Sequence, residues 1–277
     1  MLSGGESPVI NRWNLETGKI VDSIDTKNLM QRMVADAEGR TIIACYGFND
    51  RFQPIATVHP LNSDPPKTLQ GHAKGIAAVA ITADGARYGT AAHDNTVRIW
   101  KSDDLSHPLV LNHPEWAFDV AFSSDGKSAA TTSYQGGLWL WDAQTGEAKG
   151  KPLVEVHGGP WQCFVHFLPD DKGLITASVD GTIRRWDIAG RKFEEVRTSE
   201  ENIGGMALSP DGRWIAVGRR GGRVDVYSVS PLALVHSYLA HFSACEGLAF
   251  SPDNKTLATG SLDTTIKLWS IAKLKHP

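Results

Sequence analysis

The sequence has few cysteines, and those it has are far apart. Its 277 residues include three, Cys45, Cys163 and Cys245, and each falls within a predicted strand. An odd number of widely spaced cysteines argues against a disulfide framework and against a cysteine-based zinc site. Because free cysteine is one of the most buried residue types, we expect three buried free thiols in a reducing compartment.

The sequence also lacks a long apolar run and an excess of positive charge. No apolar stretch approaches the roughly 18 residues that a membrane span needs, and the N-terminus has no basic region followed by an apolar segment. The formal net charge of −3 does not favour a protein that binds the phosphate backbone of nucleic acids. We therefore predict a cytoplasmic protein that binds neither membranes nor nucleic acids.

Nucleotide-binding and hydrolase signatures are missing as well. The chain contains no GxxxxGK[ST] loop, no GxGxxG between a strand and a helix, no GxSxG and no HExxH. Its ten histidines are spread along the chain and do not cluster at the spacing of metal ligands. The sequence predicts no cofactor, no metal and no catalytic residue, which indicates a protein that is not an enzyme.

What the sequence does contain is a repeated pattern of two strands joined by a tight turn. β-branched residues flank Asp180-Gly181, which is a strong hairpin signal, and this segment ends at Trp186-Asp187. Segments 90–101 and 259–270 follow the same pattern. In all three an aspartate precedes the tryptophan by six residues, in the pairs Asp94/Trp100, Asp180/Trp186 and Asp263/Trp269.

Weaker copies of the pattern complete a regular series. They end at Trp13, Trp141 and Tyr227, and another lies near Thr57, where the tryptophan is missing. The seven positions are separated by 41 to 45 residues. A period of about 40–45 residues with four strands per repeat is the signature of a WD-repeat propeller.

On these residues the chain resembles the WD-repeat proteins over essentially its whole length. Further matches are Gly71-His72, Trp141-Asp142 and Trp186-Asp187. The resemblance implies an all-β fold, a β-propeller of four-stranded antiparallel blades within a single domain. We place the blades at residues 1–26, 27–70, 71–113, 114–157, 158–200, 201–241 and 242–277.

The strand count favours seven blades with the first one incomplete. Segments 9–14 and 265–269 are both predicted third strands, so the two chain ends cannot fill one blade together. A six-bladed ring closed by the N-terminal strand is the alternative. Because the first blade begins in its middle, we expect the native chain to extend upstream.

The resemblance also implies a hydrogen-bonded structural set in each regular blade. The three sets are His72, Asp94 and Trp100, then His157, Asp180 and Trp186, then His241, Asp263 and Trp269. An aspartate beside a histidine and a serine or threonine also resembles a catalytic triad. Recurrence once per blade indicates a structural role. Blade four has Gln135, and blade six has Gly221, at the aspartate position.

We use "top face" for the blade ends that carry these sets, because WD-repeat proteins often bind peptides or partner proteins there. The candidate binding residues are His93, Trp116, Tyr134, Trp161, Arg219, Arg220, Arg223 and Phe242. Aromatic residues and arginines dominate protein interfaces. For Trp116 and Trp161 the alternative is packing between blades.

Three of these candidates are arginines that cluster at one turn of blade six. Guanidinium groups grip carboxylates and phosphates in a bidentate manner, so Arg219, Arg220 and Arg223 predict an acidic or phosphorylated peptide partner. The alternative is a solvated charged turn paired with Glu200 and Glu201.

Three functions fit the sequence. The leading hypothesis is a non-catalytic scaffold that binds peptides or partner proteins on the top face. The alternative is a sensor or docking module of a larger kinase, protease or nucleotide-hydrolysing enzyme. A propeller hydrolase is the third, and it would need converging polar groups on the first strands, where Asp119, His166 and Glu246 are the candidates.

Overall fold

The computed structural model describes residues 1–5, 8–28, 30–46, 55–62, 64–135, 137–153, 163–198 and 202–273. These residues are mostly strand, and the helical part described is a single 3-10 turn at Ile271–Lys273. Within the described ranges, no helix is long and apolar enough to cross a membrane. The chain divides into two compact units, residues 1–133 with 139–151 and residues 134–138 with 152–277.

The first unit contains the following strands: β1 (Leu2–Ser3), β2 (Val9–Asn14), β3 (Lys19–Asp25), β4 (Met30–Ala35), β5 (Thr41–Tyr46), β6 (Ile55–Pro60), β7 (Lys67–Leu69), β8 (Ile76–Ile81), β9 (Arg87–Ala92), β10 (Thr96–Lys101), β11 (Asp104–Asn112), β12 (Ala117–Phe122), β13 (Ser128–Ser133) and, from its second residue onward, β14 (Leu138–Asp142). The second unit contains β15 (Cys163–Phe167), β16 (Gly173–Ser178), β17 (Thr182–Asp187), β18 (Lys192–Arg197), β19 (Ile203–Leu208), β20 (Trp214–Arg219), β21 (Arg223–Val229), β22 (Leu232–Leu239), β23 (Cys245–Phe250), β24 (Thr256–Ser261) and β25 (Ile266–Ser270).

The described strands form seven antiparallel sheets, each made of consecutive strands, and each sheet is one propeller blade. The predicted all-β propeller with seven blades is therefore confirmed. Blades two, three, five and six have four strands, and blade one has three, of which β1 is two residues long. The six-bladed alternative is wrong, because β2 pairs with β1 and β3 in a sheet of its own.

Blades four and seven have three strands among the described residues, although the resemblance to WD-repeat proteins implies four-stranded blades in general. In blade four, two isolated bridges, Leu138 with Leu153 and Trp141 with Ala148, take the place of a fourth strand. In blade seven the chain turns into the 3-10 segment directly after β25.

A repeated turn joins the first and second strands of several blades. In blade six, Ser209 Oγ donates to Asp211 Oδ1 at 2.6 Å, and the same carboxylate oxygen accepts the Arg213 amide at 3.1 Å. Gly212 has a φ of 70°, in the left-handed region that favours glycine. The same hydroxyl–carboxylate bond recurs at Thr82–Asp84, Ser123–Asp125 and Ser251–Asp253. Local sequence therefore sets these hairpins.

The core of each unit lies among the inner strands of its blades. In the first unit, a cluster that includes Val97, Ile99, Val120 and Trp141 joins blades three and four. In the second, a comparable cluster joins blades five and six. Strand β16 is buried throughout, whereas β18 at the outer edge is mostly exposed. Loops at the strand ends and the outer strands are therefore the surfaces left for binding.

Blade two places its anchor residue differently from the sequence prediction. His59 pairs with Ile42 as Trp100 pairs with Tyr88, so His59, two residues beyond Thr57, occupies the tryptophan position. Its Nε2 lies 2.6 Å from Thr57 Oγ1. Strand β6 continues beyond His59 and ends at Pro60. The residues of β6 that pair with β7 end at Val58, so the strand is paired on one side only at Pro60, as at a sheet edge where proline is tolerated.

Candidate functional site

In blade three, the histidine, aspartate and tryptophan lie in one hydrogen-bonded chain. His72 Nδ1 is 2.9 Å from Asp94 Oδ2, and His72 Nε2 is 2.7 Å from Thr90 Oγ1. Trp100 Nε1 donates to the same threonine oxygen at 3.0 Å. Asp94 also accepts the Ala73 amide at 2.8 Å. The set therefore joins the loop before the first strand to the second and third strands.

Burial makes this set a structural element. Burial alone would raise the pKa of Asp94, but hydrogen bonds from His72, the Thr96 hydroxyl and the Ala73 amide hold that pKa well below its usual range. Thr90 is fully buried and already accepts the tryptophan donor, so its hydroxyl cannot reach a substrate. The arrangement lacks the exposed nucleophile that a triad requires.

Blade seven repeats the geometry. His241 Nδ1 is 3.0 Å from Asp263 Oδ2, and His241 Nε2 is 2.8 Å from Thr259 Oγ1. Trp269 Nε1 donates to Thr259 at 2.9 Å. The hydroxyl of Thr265, which donates to the carboxylate, contributes most to holding the pKa of Asp263 well below its usual range.

Blade five shows part of the set. Trp186 Nε1 donates to Thr176 Oγ1 at 3.0 Å, and Asp180 Oδ1 accepts the Thr182 hydroxyl at 2.7 Å. His157, the predicted third member, lies outside the described residues, as does Trp161, a predicted top-face residue.

Blade four has a histidine without the aspartate. His113 Nε2 is 3.1 Å from Thr131 Oγ1, which also accepts the Trp141 indole at 2.7 Å. His113 Nδ1 is buried and has no hydrogen-bond partner among the described residues. Burial lowers the pKa of His113 to about 4, so the ring is neutral at pH 7.

Two aromatic candidates lie together at the top face of the first unit. His93 directly follows β9 and Trp116 directly precedes β12, and their rings stack with centroids 4.9 Å apart and planes at 21°. Trp116 is 43% exposed. Its ring therefore lies on His93 with a large part of its surface open to solvent.

The second unit exposes a different aromatic residue at its top face. Phe242, directly after His241, is 91% exposed, and Leu262, directly before Asp263, is 52% exposed. The Phe242 amide donates to Asp263 Oδ2 at 3.1 Å, so the buried set fixes the loop that carries the ring. Lys267 Nζ lies 5.7 Å from the ring centroid. Tyr134, also predicted for the top face, is 37% exposed.

Of the three arginines that were predicted to act together, Arg219 and Arg223 line one cleft and Arg220 does not. Arg219 is 2% exposed, and its Nε and Nη2 donate to Asp225 Oδ2 at 2.7 and 2.6 Å. Its prediction as a top-face binding residue is wrong, because its charge is taken up by a buried carboxylate. Arg220 is exposed, and Arg223 is half-buried. Glu200 and Glu201, the predicted acidic partners, lie outside the described residues.

A cleft of about 410 Å³ opens beside this ion pair. Polar lining residues include Arg197, Thr198, Arg219, Arg223, Asp225 and Ser237. It lies between β18 and β22, the outer strands of blades five and six. Asp225 was not predicted as a site residue, because its only local signal is its position six residues after Arg219 on the neighbouring strand.

Of the polar residues predicted on the first strands, Asp119 belongs to the first unit, and His166 and Glu246 belong to the second. Asp119 is buried, and its Oδ1 lies 3.2 Å from Arg32 Nη1. In the part of the chain that the structure describes, no group of three or more His, Cys, Asp or Glu side chains could hold a metal ion. The three cysteines are buried and free.

The amino-acid sequence of this chain is similar to a family model and to several known proteins. The family model described as "WD domain, G-beta repeat" matches residues 63–101, 108–142, 150–187 and 232–270. Autophagy-related protein 16 of Arabidopsis thaliana is 25% identical over 243 residues, which cover 83% of this chain and 45% of that protein. THO complex subunit 3 of the same plant is 24% identical over 226 residues, which cover 79% of this chain and 70% of that protein. Apoptotic protease-activating factor 1 of Rattus norvegicus is 28% identical over 225 residues, which cover 77% of this chain and 17% of that protein.

Proposed function

The chain belongs to the WD-repeat family, and we propose that it is a non-catalytic scaffold that binds peptides or partner proteins on its top face. Phe242 is the main support for this proposal, because it is a large apolar side chain that is 91% exposed. A rigid sheet that presents a binding residue on a fixed loop is the usual way in which such scaffolds act.

The loop that carries Phe242 is held in place before any partner arrives. Its amide is bonded to Asp263, and the Leu262 amide donates to the Ala244 carbonyl at 3.0 Å, so the two loops are joined. A partner would therefore lose little binding free energy to ordering these loops. Burying a phenylalanine side chain stabilises a complex by about 1.5–3 kcal/mol.

The surroundings of Phe242 indicate the chemistry of the partner. The ammonium group of Lys267 lies near the ring, in the range of a cation–π contact. Leu262 adds a second exposed apolar surface. We therefore propose a peptide segment with an apolar or aromatic residue next to an acidic one.

A random-peptide phage library, selected on the folded chain, tests the proposal. We expect enriched peptides to combine an aromatic or large aliphatic residue with a neighbouring acid. Phe242→Ala should weaken the binding of these peptides at least tenfold, on the order of the loss of one buried interface anchor. Fluorescence polarisation with labelled peptides gives the dissociation constants.

Phe193→Ala is the matched control, because Phe193 is 45% exposed and lies on the outer strand β18. It removes the same side chain away from the top face and should leave peptide affinity within about twofold. Equal weakening by both variants, or unchanged affinity in Phe242→Ala, would show that the top face is not the binding surface.

A second candidate function is a docking module within a larger enzyme. It is favoured by the coverage of the relatives, since the chain spans 45% of one and 17% of another. An antibody raised against the folded chain can capture the native protein from its source cells. A captured protein of about 30 kDa would contradict this candidate, whereas a much larger one with further domains would support it.

We also propose that the protein is cytoplasmic and binds neither membranes nor nucleic acids. Its three free thiols are compatible with a reducing compartment. The net charge of −3 disfavours general attraction to phosphate backbones. Imaging of a fluorescent fusion, with cell fractionation, tests the location.

A further inference from the structure

We propose that the cleft between β18 and β22 is an anion site that binds a phosphate monoester. This site is separate from Phe242 and does not depend on peptide binding there. Among the residues that line the cleft, three guanidinium groups face one carboxylate. The cleft has a buried polar floor and an exposed cationic rim, and each part has a distinct role.

The floor is a saturated ion pair. Arg219 donates two hydrogen bonds to Asp225 Oδ2, and Ser237 Oγ donates to Asp225 Oδ1 at 2.5 Å. Arg219 Nη1 also donates to Thr198 Oγ1 at 3.2 Å. Because Arg219 compensates Asp225, this carboxylate does not repel an anion as an isolated carboxylate would.

The rim carries positive charge that the floor does not neutralise. Arg223 donates from Nη1 to the Ser237 hydroxyl at 2.9 Å, and this is a neutral acceptor. Arg197 is exposed and makes no ion pair with any residue that the structure describes. A guanidinium group has five N–H donors, so most donors on both arginines remain available to a ligand.

A phosphate monoester fits this arrangement better than a carboxylate does. It carries about −1.5 to −2 charges at pH 7, which matches the two guanidinium groups, Arg197 and Arg223, that make no ion pair among the described residues. Its three terminal oxygens can accept from both arginines at once. The exposed Leu234 lines the same cleft and offers an apolar surface to the carbon side of the ester. The volume of about 410 Å³ lies within the range of small-ligand sites.

Isothermal titration calorimetry at constant ionic strength tests the site. The probes are N-acetyl-phosphoserine amide for a phosphorylated peptide and glycerol phosphate for a small metabolite, with N-acetyl-serine amide as the uncharged comparison. Binding of either phosphate probe, with none of the unphosphorylated one, is the expected result. Preference for phosphoserine would identify a peptide-borne group, and similar affinities would identify recognition of the phosphate alone.

Variants assign the binding to the cleft. Arg197→Gln and Arg223→Gln should each reduce affinity at least tenfold, because each removes a charge-assisted contact. Arg220→Gln is the matched control, since Arg220 is exposed, adjacent in sequence and absent from the lining of the cleft. It should change affinity by less than about twofold.

Two results would overturn the proposal. One is the absence of phosphate-dependent heat in the wild-type chain. The other is an equal loss in Arg220→Gln, which would indicate general electrostatic attraction. Thermal melting of each variant separates loss of the site from loss of the fold. Phe242→Ala should bind phosphate normally, so failure of this site and failure of the peptide site are distinguishable.

Discussion

Arg219 and Asp225 form a buried ion pair in blade six, which has Gly221 where regular blades have aspartate. The side chains are 2% and 6% exposed, so both charges are removed from water. Such a pair is stabilising only while both partners are present, because a single buried charge has a large desolvation cost. The Arg219 guanidinium also bonds to the Tyr227 hydroxyl, and burial raises the pKa of Tyr227 to about 12.

Removing one partner of the ion pair should therefore destabilise the fold more than removing both. We expect Arg219→Met to lower the free energy of unfolding by about 3–5 kcal/mol, because it leaves Asp225 buried without its cation. Arg219→Met combined with Asp225→Leu should recover most of that loss. Urea denaturation, followed by fluorescence, measures the free energy of unfolding of the single and the double variant. A double variant no more stable than the single one would show that the pair itself is strongly stabilising.

The buried His113 should make the free energy of unfolding depend on pH. Its folded pKa of about 4 lies below its usual value of 6.5, so the folded state favours the neutral ring. The corresponding stability is complete above pH 6.5 and is lost as the pH falls towards 4. Protonation costs about 1.4 kcal/mol per pH unit within that window.

Urea denaturation between pH 7.5 and 4 checks this dependence. His113→Gln should be less stable at neutral pH but should show a smaller loss on acidification than the wild type. The wild-type chain, measured in parallel over the same pH range, is the reference. An unchanged slope in His113→Gln would contradict the assignment.

At the scale of elements, the hydrogen bonds between neighbouring strands explain why the hairpins were predictable. The Asp-Gly turns and the β-branched strands of blades three and five come from local sequence. Trp186 shows how an anchor works, since its indole on β17 donates to Thr176 on β16, and its ring packs 4.7 Å from that of Phe193 on β18.

Trp186→Ala should remove this anchor from three strands at once. Since the ring is 3% exposed, we expect a loss of about 3–5 kcal/mol in the free energy of unfolding, typical of a large core deletion. Trp116→Ala serves as the comparison, because Trp116 is 43% exposed and should cost much less. If chemical denaturation showed the same decrease in the free energy of unfolding for both variants, burial of the ring would not explain the size of that decrease.

Elements whose sequence departs from the repeat were harder to predict. The anchor of blade two was misplaced, because His59 replaces tryptophan and bonds to Tyr46 and Thr57 instead. In blade four, isolated bridges and no regular fourth strand connect that edge among the residues that the structure describes. In both cases the local pattern is weak, and contacts with neighbouring strands decide the pairing.

At the scale of the whole molecule, the chemical reactivity of the three thiols depends on whether the chain is folded. Cys45, Cys163 and Cys245 are fully buried in separate blades, and burial raises the pKa of Cys45 to about 11 and that of Cys245 to about 12. Neutral buried thiols react poorly, because the thiolate is the nucleophile.

We therefore expect no reaction of the native chain with DTNB at pH 8 and reaction of all three thiols in denaturant. The absorbance of the released product gives the count directly. Rapid reaction of one thiol under native conditions would identify a blade that opens without global unfolding. Cys163→Ala, as a control, should reduce the denatured count by one.

The repeat, the seven blades and the turn chemistry were predictable, because strand alternation and Asp-Gly turns are local signals that recur every 41 to 45 residues along the chain. It also indicated which histidines, aspartates and tryptophans share a blade. Which side chains remain accessible could be seen in the folded structure but not in the sequence. Phe242 is exposed, whereas Arg219 is buried against Asp225, and neighbouring sequence distinguishes these outcomes poorly. Accessibility depends on which side chains the folded strands bring together, because a buried charge needs a partner beside it, as Arg219 has in Asp225 on the neighbouring strand.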